Sequence, residues 1–281
     1  MQEVVDQGGC GSCWAVSSAT VLRAHSQLYQ QDRKFSAQRL VSCVPNPEQC
    51  GGKGGCGGAT AELAMEYAAK QGLSLEEEMP YKGSDLSCPA EMSAPAGAAT
   101  AAAPNLRSGA KSLAEFDAAS SGGAKLGITG WRKLAENKVE PLLLALAEEG
   151  PVVVSVAAGS GWSMYSSGVM NSCPKDAVIN HAVVLTGYGS DAGKLYWQIQ
   201  NSWGPEWGEK GFIRMLRRDT REENEYCGWD KSPQEGTACK GGPDKVRVCG
   251  TCGVLYDSVV PKFRLSKDGW WHTNGKRSIE A

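Results

Sequence analysis

Residues 7–15 (QGGCGSCWA) hold two cysteines three apart, behind a glycine-rich turn and ahead of a helix-like run. That run, 13–29 (CWAVSSATVLRAHSQLY), repeats Ala15, Ala19 and Leu22 on one face and contains neither Gly nor Pro, so Cys13 is expected to open a helix. At a helix start, unpaired N–H groups and the dipole favour an anion, which lowers a thiol pKa and populates the nucleophilic thiolate. Gly8, Gly9 and Gly11 allow close backbone approach to a substrate and leave the sulfur accessible, and Trp14 offers an apolar wall beside it. A thiolate attacking an amide needs a proton donor for the leaving amine, and histidine suits that task near neutral pH. The chain has three histidines. His25 lies ~three turns along the same helix and cannot reach Cys13. His272 sits in a polar tail, whereas His181 precedes the apolar run AVVLTGYG and is reached by elimination. Its imidazole needs an acceptor to hold one tautomer, and Asn201 in QNSWG, at the end of another strand, is best placed.

The elements that position these groups change character along the chain. Residues 60–71 read as a helix capped by Thr60, with Leu63, Ala64 and Tyr67 on one face and Gly72 to end it. Residues 137–149 read as another, with Pro141 in the first turn and Val139, Leu142, Leu143 and Leu146 on the buried stripe. After Gly150, residues 152–156, 182–188, 195–200 and 212–216 are short β-branched or aromatic runs bounded by Gly, Ser or Asn. Helices first and strands afterwards predict an α+β protein. Residues 90–125, rich in Ala, Gly and Ser, read as a surface insertion or loop, and 230–250 is a second polar, Gly/Pro-rich stretch. The only internal repeat is a pair of CxxC copies, Cys10–Cys13 and Cys249–Cys252.

Composition narrows the function classes. The 281 residues carry 29 Lys+Arg against 31 Asp+Glu, so no electrostatic case exists for nucleic acid as a partner. At 41% hydrophobic and 21% charged the chain is globular, and no apolar run approaches the ~18–20 residues of a membrane span. Residues 1–5 lack the basic and apolar regions of a signal peptide. Eleven cysteines, an odd number, suggest bridged pairs plus one free thiol in an oxidising compartment.

QGGCGSCWA, GGCGG at 54–58, NHAV at 180–183 and NSWGPEWGEKGFIR at 201–214 together resemble the papain family of cysteine peptidases, its cathepsin-L-like branch. The intervals from Cys13 to His181 and Asn201 exceed the ~130–150 residues of the family signature by about the length of the Ala-rich stretch. The resemblance implies a papain-like α+β fold: 1–89 a helical domain carrying the nucleophile, 90–125 the insertion, 126–229 a β-barrel-like domain carrying His and Asn, and 230–281 C-terminal strands with a Cys-containing extension like that of protist enzymes. The cleft would lie between the two domains. It implies Cys13 as nucleophile, His181 as general acid/base, Asn201 orienting His181 under Trp203, and Gln7 with the Cys13 N–H as the oxyanion hole. Gly57 and Gly58 would pair with an extended substrate, and Trp207 would wall the leaving-group side. Thr60, Ala61, Ser155, Asn180, Ala182 and Ser232 would bind substrate, in a roomy, uncharged pocket favouring apolar residues over Arg.

By the same resemblance Cys10 pairs with Cys56, Cys43 with Cys88 and Cys173 with Cys227. Cys50, Cys239, Cys249 and Cys252 are left with three possible pairings, or with a structural zinc site as the less favoured alternative. The implied activity is endopeptidase hydrolysis through a thioester, since residues 43–88 contain no histidine and so no His-bearing occluding loop. No cofactor or metal is expected. The expected partners are protein or peptide substrates, cystatin-like inhibitors and a propeptide, which the resemblance places ahead of Gln7 with further mature sequence and a signal. A monomer in a lysosome-like vacuole or secreted is expected. A catalytically impaired papain-like binding protein and a dithiol oxidoreductase using either CxxC are the rival classes.

Overall fold

The computed structural model describes residues 3–89 and 122–265. The first part is helical: α1 (Cys13–Tyr29), α2 (Ala37–Cys43) and α3 (Ala61–Gln71). After α4 (Gly122–Lys125) come β1 (Ile128–Lys133), α5 (Val139–Glu148), β2 (Val152–Val156), α6 (Ser160–Ser163) and β3 (Val169–Met170). Then follow β4 (His181–Asp191), β5 (Lys194–Gln200), β6 (Phe212–Leu216), α7 (Thr220–Glu225), β7 (Cys227–Asp230), β8 (Val246–Cys249) and β9 (Asp257–Phe263). Of the expected insertion 90–125, residues 90–121 lie outside the described residues, while Gly122–Lys125 form α4 rather than loop.

Seven strands form one sheet in the order β1-β9-β2-β4-β5-β6-β3, and β7 pairs with β8 in a separate hairpin. All pairs are antiparallel except β3 with β6. Every residue of β2 is buried, because the sheet is covered on both faces. Val153, with Val184 and Val259, joins the core made with α1, α2 and α3. Val152, Val154 and Val156 face a second core with Leu185, Trp197, Ile199, Ile213 and Met215. This period-two split explains why β2 reads as an unbroken apolar run. The helix α1 is buried on most of its circumference, including Trp14, Val21, Leu22 and His25, as expected of a helix packed against both α3 and the sheet.

The three predicted helices form close to their expected bounds, and Gly72 ends α3 with φ 75°. Thr60 starts α3 but does not cap it: its hydroxyl is buried without a partner. Among the elements that local pattern left unread are α2, β1 and β9. Ser36 caps α2 by accepting from the Arg39 N–H, and β1 and β9 pair with each other, β9 also pairing with β2.

Candidate active site

Cys13 opens α1, half-buried, and is the one cysteine among the eleven that is not bridged. The turn before it is held from three directions. Cys10 is bridged to Cys56, and Gly11 N–H donates to the Cys56 carbonyl at 3.0 Å. A Cβ on Gly11 would lie 2.6 Å from that carbonyl oxygen, so only glycine fits there. Tyr81 OH donates to the Gln7 carbonyl at 2.9 Å and also contacts Ser12 Oγ. Trp14 is fully buried, and its indole N–H reaches the Gly55 carbonyl at 3.1 Å, so it anchors the glycine loop and is not an exposed wall.

His181 is the first residue of β4, and its Nε2 lies 2.7 Å from Asn201 Oδ1. Asn201 follows β5 and is itself held, its N–H donating to the Gly211 carbonyl at 2.9 Å and its Oδ1 accepting from Ser202 N–H at 2.8 Å. Trp203 stacks on the imidazole at 5.0 Å between centroids, and Trp162 meets it edge-on at 6.2 Å. Trp207 packs edge-on against Trp203 and face-on against Trp162, so the imidazole has indole on two sides. Trp162, on the short helix α6, carried no sequence signal of that role.

The thiol and imidazole shift each other. Burial by itself would push the Cys13 thiol up. The charge of His181, its hydrogen bond, and the Ala182 and Trp14 N–H groups outweigh burial, leaving Cys13 below its ordinary 9.0. Burial would likewise lower His181, but the Cys13 charge and hydrogen bond, then Asn201, carry it above its ordinary 6.5. Both shifts favour a thiolate–imidazolium pair, which titrates as a unit.

Gln7 lies beside this pair. Its N–H donates to the Ser202 carbonyl at 2.8 Å, its Oε1 accepts from Ser202 Oγ at 2.6 Å, and its Nε2 donates to the Cys10 carbonyl at 2.9 Å. These bonds fix the amide orientation and leave one Nε2 hydrogen uncommitted.

Next to Cys13 and His181 is a cavity of about 260 Å³ whose lining includes Gly57, Gly58, Thr60, Ala61, Ser155, Asn180 and Ala182, residues that the resemblance implied for substrate, and also Gly51, Glu235 and Gly236. Ser232 does not line it: its N–H donates to Asp230 Oδ1 at 2.8 Å, and the chain reaches the cavity three residues later. Trp203 and Trp207 are also absent from its lining, being packed around His181 instead. The pocket expected to be uncharged therefore has an acid, Glu235, in its lining. Gly58 makes its bonds within its own loop, accepting from Gly54 N–H at 2.7 Å and donating to the Gly55 carbonyl at 3.4 Å.

A family profile described as papain family cysteine protease matches residues 1–237. The chain belongs to that family. It is 34% identical over 230 residues to a KDEL-tailed cysteine endopeptidase, CEP2, of Arabidopsis thaliana, covering 80% of this chain and 54% of the relative. It is 37% identical over 221 residues to cathepsin K of Gallus gallus, covering 76% and 55%. The chain thus spans about half the length of these relatives. Among solved structures, a cysteine protease of Carica candamarcensis in complex with E-64 superposes with a TM-score of 0.63 at 28% identity, covering 94% of each chain. The ragweed pollen cysteine protease Amb a 11 in its proform gives 0.64 at 28%, covering 94% of this chain and 62% of that one. The papain-like α+β fold is therefore shown.

Against this family background the disulfides need one correction. Cys10–Cys56 and Cys43–Cys88 are present as the resemblance implied. Cys173 and Cys227 do not pair: Cys227 bonds Cys249 and Cys173 bonds Cys252. The cause is the β7–β8 hairpin, which sets Cys227 directly opposite Cys249 in register, with Cα atoms 4.0 Å apart. Cys173 then takes Cys252, and Cys50 bonds Cys239. All four extra cysteines are bridged, which leaves no thiolates for the zinc alternative. Neither CxxC forms a dithiol pair, which removes the oxidoreductase reading. His25 is buried in α1 with Nε2 2.8 Å from the Pro151 carbonyl, a structural position; His272 lies outside the described residues.

Proposed function

We propose that the protein is a cysteine peptidase that hydrolyses peptide bonds through Cys13 and His181. The single observation carrying this reading is an unbridged cysteine at a helix start, in charge and hydrogen-bond contact with an imidazole that Asn201 holds at 2.7 Å. The Cys13 thiolate attacks the scissile carbonyl carbon, and the carbonyl π electrons move onto oxygen. The spare Gln7 Nε2 hydrogen and the Cys13 N–H, unpaired at the first residue of α1, receive that oxyanion. The tetrahedral species collapses by breaking the C–N bond, His181 protonates the departing amine, and a thioester remains. Water, giving its proton to His181, then attacks the thioester and releases the carboxylate and the thiolate. Asn201 keeps the imidazole aimed by accepting from Nε2–H, so the other nitrogen faces Cys13. Trp203, stacked on the ring, keeps water from that bond.

Kinship to a relative named as an endopeptidase supports hydrolysis of internal bonds. The domain division at 89/126, the substrate roles of the pocket residues, a propeptide partner, cystatin-like inhibitors and a monomeric state remain part of the same proposal. Two solved proforms in the family support the propeptide. Five disulfides support an oxidising location such as a vacuole, a lysosome or the extracellular space. Among the described residues no helix is long and apolar enough to cross a membrane.

The test is a Cys13→Ala variant. It should lose at least ~10⁴-fold in kcat/KM on a fluorogenic peptide amide, and E-64, bound by a relative in its solved structure, should label wild-type Cys13 only. Hydrolysis by the variant at the wild-type rate would remove the assignment.

A further inference from the structure

The two groups that receive the oxyanion, Gln7 Nε2 and the Cys13 N–H, come from opposite ends of one short turn. How far apart they stand depends on how that turn is held. Packing does little at its start: Gly8 has φ 62°, and a Cβ built on Gly8 or Gly9 would meet nothing within 4 Å beyond its chain neighbours. The middle is pinned at Cys10, which is bridged to Cys56 and whose carbonyl accepts from Gln7 Nε2 at 2.9 Å and from Ser12 N–H at 2.8 Å. The ends are joined by a side chain from a distant loop, Tyr81, which bonds both the Gln7 carbonyl and the Ser12 hydroxyl.

The proton count gives this link a direction. A phenol carries one proton and a carbonyl only accepts, so Tyr81 donates to Gln7 at 2.9 Å and the Ser12 hydroxyl donates to Tyr81. The chain runs from Ser12 O–H through Tyr81 O–H to the Gln7 carbonyl, each hydroxyl polarising the next. Tyr81 is firmly mounted. Its N–H donates to Glu76 Oε1 at 2.9 Å, the Lys82 N–H donates to Gln38 Oε1 at 2.9 Å, and its ring packs against the core around α1. Further along the same loop, Asp85 Oδ1 accepts from the Cys56 N–H at 2.7 Å, which braces the bridge that pins Cys10. Burial raises the Tyr81 phenol above its ordinary 10, opposed by the Ser12 bond and helped by the charges of Asp6 and Cys13. The hydroxyl therefore keeps its proton at neutral pH.

We propose that Tyr81 is a positioning residue for the oxyanion hole, its hydroxyl setting the spacing of Gln7 Nε2 and the Cys13 N–H by tying the Gln7 carbonyl to Ser12. This rests on the peptidase reading and on Gln7 as an oxyanion donor, and adds what holds that donor in place. Tyr81 does not line the cavity beside Cys13, so it acts through these two residues and not on substrate. The Ser202 carbonyl fixes the backbone ahead of Gln7, and Tyr81 fixes it behind, where Gly8 would otherwise let the chain swing. A misplacement of ~1 Å can cost ~10² in rate, so losing one tie among several should cost about tenfold.

The full chain and its Tyr81→Phe variant, with active sites counted by E-64, are compared on a fluorogenic peptide amide, the peptide aldehyde of the same sequence, and iodoacetamide. Aldehyde addition places an oxygen in the oxyanion hole, whereas alkylation consumes the thiolate and forms no oxyanion. The variant should lose about tenfold in kcat with KM within about twofold, and should bind the aldehyde about tenfold more weakly. Its alkylation rate, and the pH profile of that rate, should stay those of the wild type. In a Gln7→Ala background, Tyr81→Phe should cost no more than about twofold, because the donor it positions is gone. Wild-type kcat and aldehyde affinity in Tyr81→Phe would overturn the proposal, as would alkylation slowed as much as hydrolysis, or the full loss persisting without Gln7. Should Tyr81→Phe not fold, Ser12→Ala cuts the other arm of the tie; the same pattern there supports the proposal and wild-type kcat overturns it. Hydrolysis by Gln7→Ala at the wild-type rate would remove the donor and this proposal with it. A wild type that cuts no amide and whose Cys13 takes no E-64 would overturn the peptidase reading itself.

Discussion

Two clusters of buried charge sit on either side of the pocket wall, and they settle their protons in opposite ways. At Cys13 and His181, one acid meets one base, and both move toward their charged forms. Behind Ala61 and Ser155, two buried carboxylates, with the more exposed Glu136, compete for one ammonium. Lys133 Nζ lies 3.0 Å from Asp257, 3.2 Å from Glu136 and 3.7 Å from Glu62, with Tyr256 beneath it. Burial would raise Asp257, but Lys133 and the hydroxyl of Ser155, 2.6 Å away, hold it below its ordinary 3.8. Glu62, buried on α3 with one oxygen unpartnered, is raised to about 7 by burial and then by Asp257, against the pull of Lys133. Burial would lower Lys133, yet Asp257, Glu62 and Glu136 keep it well above its ordinary value. A buried ion is tolerated when it has its own counter-ion; the surplus acid is pushed toward its neutral form.

The sharpest way to break this contrast is to remove the favoured carboxylate. Asp257→Ala leaves Lys133 with Glu62 as its nearest buried partner and Ser155 Oγ without an acceptor. It should cost about 3–5 kcal/mol in urea unfolding at pH 7; a loss under 1 kcal/mol would mean the cluster is not coupled as described. The surplus acid should behave in the reverse sense. Glu62 has a folded pKa near 7 against an ordinary 4.5, so its protonated form fits the fold without penalty below pH 4.5. Stability is then lost as pH climbs from 4.5 through 7. Glu62→Gln should match wild type at pH 4 and exceed it by up to roughly 3 kcal/mol at pH 8, read from the pH dependence of Tm and unfolding free energy. A gain at pH 4 equal to that at pH 8 would contradict it.

The smallest effect belongs to the balanced pair. Activity requires thiolate with imidazolium, so it rises as pH passes the lowered Cys13 value and falls as pH passes the raised His181 value. Asn201→Ala removes one of the groups that raise His181. The alkaline limb of kcat/KM should move to lower pH, with a loss of about tenfold at pH 7. An unmoved limb would show that Asn201 aims the ring without affecting its proton.

Much of the site was legible from local chemistry. Cys13 at a helix start and His181 at a strand start follow from neighbouring residues, and the structure brings both together with Asn201. Ser232 was misplaced because spacing cannot register where the β7–β8 connection turns. Glu235 went unread for the same reason, since only folding of the β7–β8 connection carries it to Gly51. Trp162 and Tyr81 have ordinary neighbours in sequence, and their contacts with His181 and Gln7 exist only in three dimensions.

Spacing and residue type alone determined the helix that Cys13 opens, the bounds of α3 and α5 and the α+β order, because helix starts, apolar periods and glycine turns act over a few residues. Disulfide partners, the seat of β9 between β1 and β2 and the protonation of Glu62 were decided by tertiary structure. Each depends on which distant backbones come within a few ångströms of each other, and on how little water is left between them.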